Sequence, residues 1–171
     1  MTLLLIIERD ACRIQASPFA TPSPAASKVF MLTHIDHVGI AVRSIDAALL
    51  LYRDVLGLPF DGLDEVESQG VRVAFLRLGE ARLELLEPTR DDSPIAKFIE
   101  KRGEGLHHIA LATDNLEQAR EIAAKAGIRL LSEAPIDGAH GKLITFLHPK
   151  DTHGTLVEFC MRNPDASTDH E

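Results

Sequence analysis

The stretch HIDHVGIAVRSIDAALLLYRDVLGL, residues 34–58, is answered further along the chain by LHHIALATDNLEQAREIAAKAGI, residues 106–128. His37 and His108 lie 71 positions apart. Each opens an alternating apolar run that gives way to a helical pattern, and the period is far too long for a solenoid repeat. The chain is therefore read as a duplicated module that begins strand, then helix. After each helix comes a second pair of apolar runs, RVAFLRLGEARLELLEP from Arg72 and KLITFLHPKDTHGTLVEF from Lys142. One module is thus a strand, a helix and three strands. Glu84 and Glu158 fall toward the end of the last strand, 47 residues after the first histidine and 50 after the second, with the extra residues in the HPKDTHG turn.

If the two copies fold alike about a pseudo-twofold axis, two imidazoles and two carboxylates converge on one point. That donor set suits a borderline or hard divalent cation. A lone histidine or glutamate within an apolar strand is ordinarily a hydrogen-bonded, partly buried side chain. Four at repeated positions are another matter, because burying them with neither cation nor partners costs several kcal/mol, on the order expected for desolvated charges. The spacing therefore predicts a mononuclear metal site made by His37, Glu84, His108 and Glu158. His34 and His107 are expected N-terminal to their strands or on the opposite face.

Helix punctuation is duplicated as well. Ser44 or Asp46 can start the first helix, expected over Ile45–Leu56, and Gly57 can end it; Asp114 starts the second, which runs to Ala126 before Gly127. A strand is expected near Pro59–Glu67, and Gly79-Glu80 suits a two-residue hairpin. Asp92 or Ser93, followed by Pro94, marks a linking helix that finishes at Gly103. The fold class is α+β: two tandem βαβββ modules forming a paired, curled mixed sheet around the metal. The helices cover one face of the sheet, and the other face is left as a pocket.

The 171 residues carry 18 Lys and Arg against 26 Asp and Glu, a formal charge of −8. With no clustered basic residues a nucleic-acid surface is excluded and a small-molecule partner is favoured. Cys12 and Cys160 make neither a disulfide framework nor a thiolate metal motif, which fits a reduced, cytoplasmic setting. Residues 1–31 read as a flexible extension, with Met31 as an alternative start. Leu3–Ile7 is too short for a membrane span, and Glu8 and Asp10 weaken a mitochondrial presequence reading. The domain is expected over residues 32–163 (modules about 32–90 and 105–163, linker helix about 92–102), with a disordered tail at 164–171.

Further motifs carry a resemblance. DHVGIAV, LLYRDVLGL, ELLEP, SPIAKFI, GLHHIAL, GAHGK, FLHPKD and GTLVEF, in this order over about Ile35–Arg162, resemble the methylmalonyl-CoA epimerase family of the vicinal-oxygen-chelate superfamily. The resemblance implies the paired βαβββ fold, usually as a homodimer, and ligation by His37, His108 and Glu158. Glu84 stands at the fourth ligand position, where some members have Gln. It implies cobalt, manganese or magnesium as the cation and exchange of the C2 proton of methylmalonyl-CoA, in propionate and branched-chain catabolism (in the mitochondrial matrix for a eukaryotic chain). Glu158 is then both ligand and acid/base. The best-described bacterial members carry a second glutamate two residues after a Gly-Val pair. Here that place is Val73, so the second role passes to Glu84, Glu67 or a metal-bound water, with Glu84 favoured. An acyl-CoA substrate also implies basic groups, for which Lys142, Lys150 and His140 are the candidates. The alternatives are a glyoxalase I-type lyase, a metal-free binding protein of the same fold, and a ring-cleaving dioxygenase; Glu84 disfavours the last. Ethylmalonyl-CoA remains open as a substrate.

Overall fold

Strand β1 (Leu32–Ala41) lies at the centre of the molecule, paired in parallel with β4 (Ala81–Pro88) and antiparallel with β5 (Gly105–Thr113). The computed structural model describes residues 32–165, so the proposed extension and most of the tail lie outside the described residues. With β2 (Phe60–Val66), β3 (Val71–Leu78), β6 (Ile136–Asp137), β7 (Lys142–Leu147) and β8 (Val157–Arg162), the strands form one mixed sheet. Its order is β2-β3-β4-β1-β5-β8-β7-β6. Each half repeats the same order outward from the β1–β5 seam, as the duplicated sequence predicts.

The halves are equivalent to the residue. Gly39, two after His37, pairs with Glu84, and Ala110, two after His108, pairs with Glu158. Across the seam, His37 faces Ala110 and Gly39 faces His108. All four polar residues are thereby brought to one level on one side of the sheet. The glutamates sit mid-strand in β4 and second in β8, not toward strand ends as expected.

Two helices among the described residues cover the convex side. Ser44 caps α1 (Ile45–Leu49) by accepting from Ala47 N–H at 3.3 Å, and Ile45 and Leu49 bury against Ala74, Leu76 and Leu85. The helix does not run on regularly to Leu56 as expected. Residues Leu50–Val55 widen into a π-helix, with Leu56 N–H reaching Leu51 C=O at 2.8 Å. Leucines at three consecutive positions cannot all face one core, and Leu50 and Leu51 are left outward.

Helix α3 (Leu116–Lys125) begins one residue later than expected. Asn115 accepts from Gln118 N–H, while Thr113 Oγ1 accepts from Asn115 N–H. Its Leu116, Ala119 and Ala123 pack on Leu147 and Phe159. Buried Arg120 is satisfied by Thr145 Oγ1 and Glu133 C=O, both at 2.6 Å. Each fully buried Ile, Leu or Phe in these layers contributes roughly 1.5–3 kcal/mol.

Helix α2 (Pro94–Arg102) is more than a linker, because Ile95 and Ile99 pack on Val71, Val73, Phe75 and Leu86 and close one end of the concave face. Ser93 caps it, with Pro94 in the first turn.

Candidate metal centre and cavity

Two β-bulges decide which side chains enter the concave face. In β1 the pairing steps from Ile35–Leu111 to His37–Ala110, so Asp36 is an extra residue; in β5 it steps from Gly39–His108 to Ile40–Leu106, so His107 is one too. A bulge re-aims a side chain that strict alternation would send to the other face. His107 is therefore a correction to the sequence reading: it lines the cavity instead of the opposite face. His34 is exposed.

Each bulge residue contacts the inner nitrogen of the histidine that follows it. His37 Nδ1 donates to Asp36 Oδ1 at 2.8 Å, and His107 Nδ1 lies 2.9 Å from His108 Nδ1. With a carboxylate partner on Nδ1, His37 is oriented to turn Nε2 to a cation. That nitrogen is 3.0 Å from His108 Nε2. Glu158 Oε1 is 3.7 Å from His37 Nε2, and its Oε2 is 3.6 Å from His108 Nε2.

The donor set fits a cation. His37, His108 and Glu158 are each 5 % exposed or less and offer ligand atoms within 4.8 Å of one another. Glu158 Oε1 is buried with no hydrogen-bond partner, and such an orphan carboxylate oxygen is expensive without a positive charge. The 3.0 Å separation of the imidazole nitrogens is close to √2 times a metal–nitrogen bond of about 2.1 Å, the spacing of adjacent ligands at a right angle. Glu84 is buried in the same cavity but lies at the other edge of His37, Oε1 3.4 Å from Nδ1. The pseudo-symmetry is broken at that point.

Burial dominates the electrostatics. It raises the Glu84 carboxyl and pushes Glu158 up to about 8, with nearby His37 opposing both shifts. Burial would lower His37, but Glu84, Asp36 and Glu158 together raise it. His107 is pushed down to about 4 by burial, and His108 falls well below its ordinary range through burial and its two histidine neighbours. Burial also acts to raise Asp36, yet its hydrogen bonds with His37 and Lys142 and their charges hold it well below the usual carboxylate range. The site thus holds protons that a cation would displace. A second cluster of Asp36, His37 and Cys160 exists among the described residues, but burial raises the Cys160 thiol and Asp36 is engaged with Lys142.

Above this centre is a mostly apolar cavity of about 300 Å³, walled by residues such as Val73, Leu86, Ile95, Ile144 and Phe146. Lys142, read from sequence as a contact for the coenzyme, lies within it, ion-paired to Asp36. His140 takes φ 54 and stacks on Phe75 at 3.6 Å, and Lys150 is exposed in the turn after β7. Glu67 is exposed, and Val73 does line the cavity. The one sequence signal for Asp36 and His107 is that each directly precedes a repeated histidine.

A sheet of paired βαβββ units cupping two histidines and a glutamate defines a class: residues 36–146 match the sequence profile of the Glyoxalase/Bleomycin resistance protein/Dioxygenase superfamily. The mitochondrial methylmalonyl-CoA epimerase of Mus musculus is 41 % identical, over 82 % of this chain and 81 % of that protein. The ethylmalonyl-CoA/methylmalonyl-CoA epimerase of Cereibacter sphaeroides is 42 % identical, over 75 % and 97 %. A Streptomyces coelicolor methylmalonyl-CoA epimerase variant in complex with 2-nitronate-propionyl-CoA superposes with a TM-score of 0.74 at 42 % identity, over 77 % and 98 %. Within the superfamily, the chain belongs to the methylmalonyl-CoA epimerase family.

Proposed function

We propose that the protein interconverts the (R) and (S) forms of methylmalonyl-CoA by proton transfer at C2. The observation that carries this reading is the carboxylate of Glu158. It is buried, has one unpartnered oxygen, and lies beside two imidazole nitrogens at the floor of an apolar cavity. His37, His108 and Glu158 would hold the cation, and Glu84, the fourth ligand read from sequence, would have to turn from the Nδ1 edge of His37 to join them; cobalt fits this N/O set, as do manganese and magnesium. A bound divalent cation supplies Lewis-acid stabilisation of the negative charge that develops on the thioester oxygen.

The chain's own residues do the rest. Glu158 takes the C2 proton: its carboxylate lies at the floor of the cavity, beside the two imidazoles, with one oxygen free of any hydrogen-bond partner. Asp36 and His107 fix the two imidazoles, and the apolar walls exclude water from the enolate. The acyl-CoA thioester enters from the open side of the cup. Inversion also needs a second proton-transfer group, a role for which sequence favours Glu84.

The finer reading places the protein in propionate catabolism in the cytoplasm; among the described residues no helix is long and apolar enough to cross a membrane. It also has the protein acting as a homodimer, a reading supported by exposed Leu50, Leu51 and Val55 on the π-helix and Leu56 just after it. The test is conversion of a single methylmalonyl-CoA epimer, read by a stereospecific coupling enzyme, before and after chelation. Conversion that is lost on chelation and regained with cobalt is expected. Absence of conversion with cation bound, together with isomerisation of a glutathione hemithioacetal, would replace this reading with the glyoxalase one.

A further inference from the structure

Inverting a carbon by proton transfer takes two groups, one on each face. Among the described residues six ionisable side chains line the cavity: His37, Glu84, His107, His108, Lys142 and Glu158. Glu158 is one of the pair. His37 and His108 are occupied at both ring nitrogens once a cation is held. His107 has Nδ1 against His108, is kept neutral by burial and packs edge-on to Phe98. Glu84 is read as the fourth ligand and, unlike Lys142, lines the substrate cavity alone, so a proton lost from it has no second side from which it can be replaced. Val73 offers only an apolar wall where a carboxylate is missing.

Lys142 remains, and its surroundings suit the task. Its ammonium donates to Asp36, whose same oxygen accepts from His37 Nδ1, so it reaches the centre from the Nδ1 edge of the His37 ring. Glu158 approaches the Nε2 edge of that ring. The two groups therefore lie toward opposite edges of the His37 ring. Lys142 is also the one residue shared by the walls of the substrate cavity and of a second cavity of about 330 Å³, which is lined by polar side chains including His34, Asp36, Arg82, His140 and Arg162. A proton lost to substrate can be replaced from that side without opening the substrate cavity.

We propose that Lys142 is the second proton-transfer group, facing C2 opposite Glu158 and recharged through the polar cavity. The idea rests on the epimerase reading. In one direction Glu158 carboxylate takes the C2 proton, and the C–H electron pair passes into the enolate. The Lys142 ammonium then gives a proton to the opposite face, and the electron pair returns to the new C–H bond. A neutral amine and a carboxylic acid remain; water restores the ammonium and removes the carboxyl proton. The reverse direction uses the neutral amine as base.

Each pure epimer is incubated in deuterated water with cobalt-loaded protein; mass spectrometry reads deuterium at C2 and a stereospecific coupling enzyme reads configuration. For Lys142→Met we expect inversion to fall at least 100-fold, the scale of a lost acid/base group. Deuterium should still enter one epimer without inversion, through Glu158, and not the other. Lys142→Arg should behave the same way, because it keeps the ion pair but cannot give up its proton. If Lys142→Met loses cobalt, Lys142→Arg, which keeps the ion pair with Asp36, carries the test. Inversion within a few-fold of wild type in cobalt-bound Lys142→Met or in Lys142→Arg, or equal loss of exchange from both epimers, would overturn the proposal. One-sided exchange in Glu84→Gln instead would move the role to Glu84. A wild-type protein that exchanges neither epimer would refute the epimerase reading itself.

Discussion

Replacing Gly39 by alanine attacks the centre without touching any ligand. A Cβ built at Gly39 would stand 2.3 Å from His108 Cε1, 2.6 Å from Nδ1 and 2.9 Å from Nε2. Ordinary carbon contacts lie at roughly 3.5–4.0 Å, so the imidazole must retreat by more than about 1 Å. It has little room, being 5 % exposed and held by His107 on one side and Phe146 on another. Changes to residues that merely orient a ligand typically cost 10–100-fold in metal affinity, and here a proposed ligand is itself displaced. We expect cobalt binding, followed by calorimetry or by the visible absorption of the ion, to weaken about 100-fold, or about 2.7 kcal/mol at 1.36 kcal/mol per decade. Far-UV circular dichroism should be unchanged. The control is the symmetry-related Ala110→Gly, opposite His37, which should lose about 1 kcal/mol of stability at most and keep its cobalt affinity. Wild-type cobalt affinity in Gly39→Ala would refute the placement of His108 at the metal.

Three further outcomes follow from the same geometry. Glu158→Gln should reduce inversion by about 10²–10⁴-fold and weaken cobalt binding together, because one carboxylate serves as ligand and base; isotope exchange and calorimetry on the same sample check both. Asp36→Asn should weaken cobalt binding by about 10–100-fold, since the inner nitrogen of His37 loses its carboxylate partner while its metal-facing nitrogen stays in place. Without metal, the protein should become less stable as pH rises from 6.5 to 8. Glu158, at about 8 when folded, holds a proton that the unfolded chain has already released near 4.5, and the raised His37 and Glu84 act in the same sense. His107, depressed to about 4, and His108, also depressed, oppose this mainly below about pH 7, where the unfolded chain takes up their protons first. Glu158 alone gives about 2 kcal/mol over that window, measurable by denaturant titration, and saturating cobalt should flatten the slope.

The duplication was legible because the same polar residues recur at the same places in two apolar patterns, and the sheet converts that recurrence into register: Glu84 beside Gly39, Glu158 beside Ala110. The bulges were not legible. Whether Asp36 and His107 face in or out depends on how β1 pairs with β5, a contact between segments some 70 residues apart that leaves no local trace. For the same reason the ion pair between Lys142 and Asp36 left no local trace: the two residues are 106 positions apart. The regular helix expected over Ile45–Leu56 failed where Leu49, Leu50 and Leu51 compete for one buried face. Asp114 and Asn115 are equally good caps by residue type, and the Thr113 hydroxyl selects the second.

The central claim is a cation-dependent removal of the C2 proton in this cavity. The most direct measurement is nuclear magnetic resonance of methylmalonyl-CoA in deuterated water, with the protein stripped by chelator and then reloaded with cobalt. The account predicts loss of the C2 proton signal only after reloading, at a rate that scales with bound cobalt. An unchanged C2 signal in the presence of protein shown to hold its cobalt would contradict it.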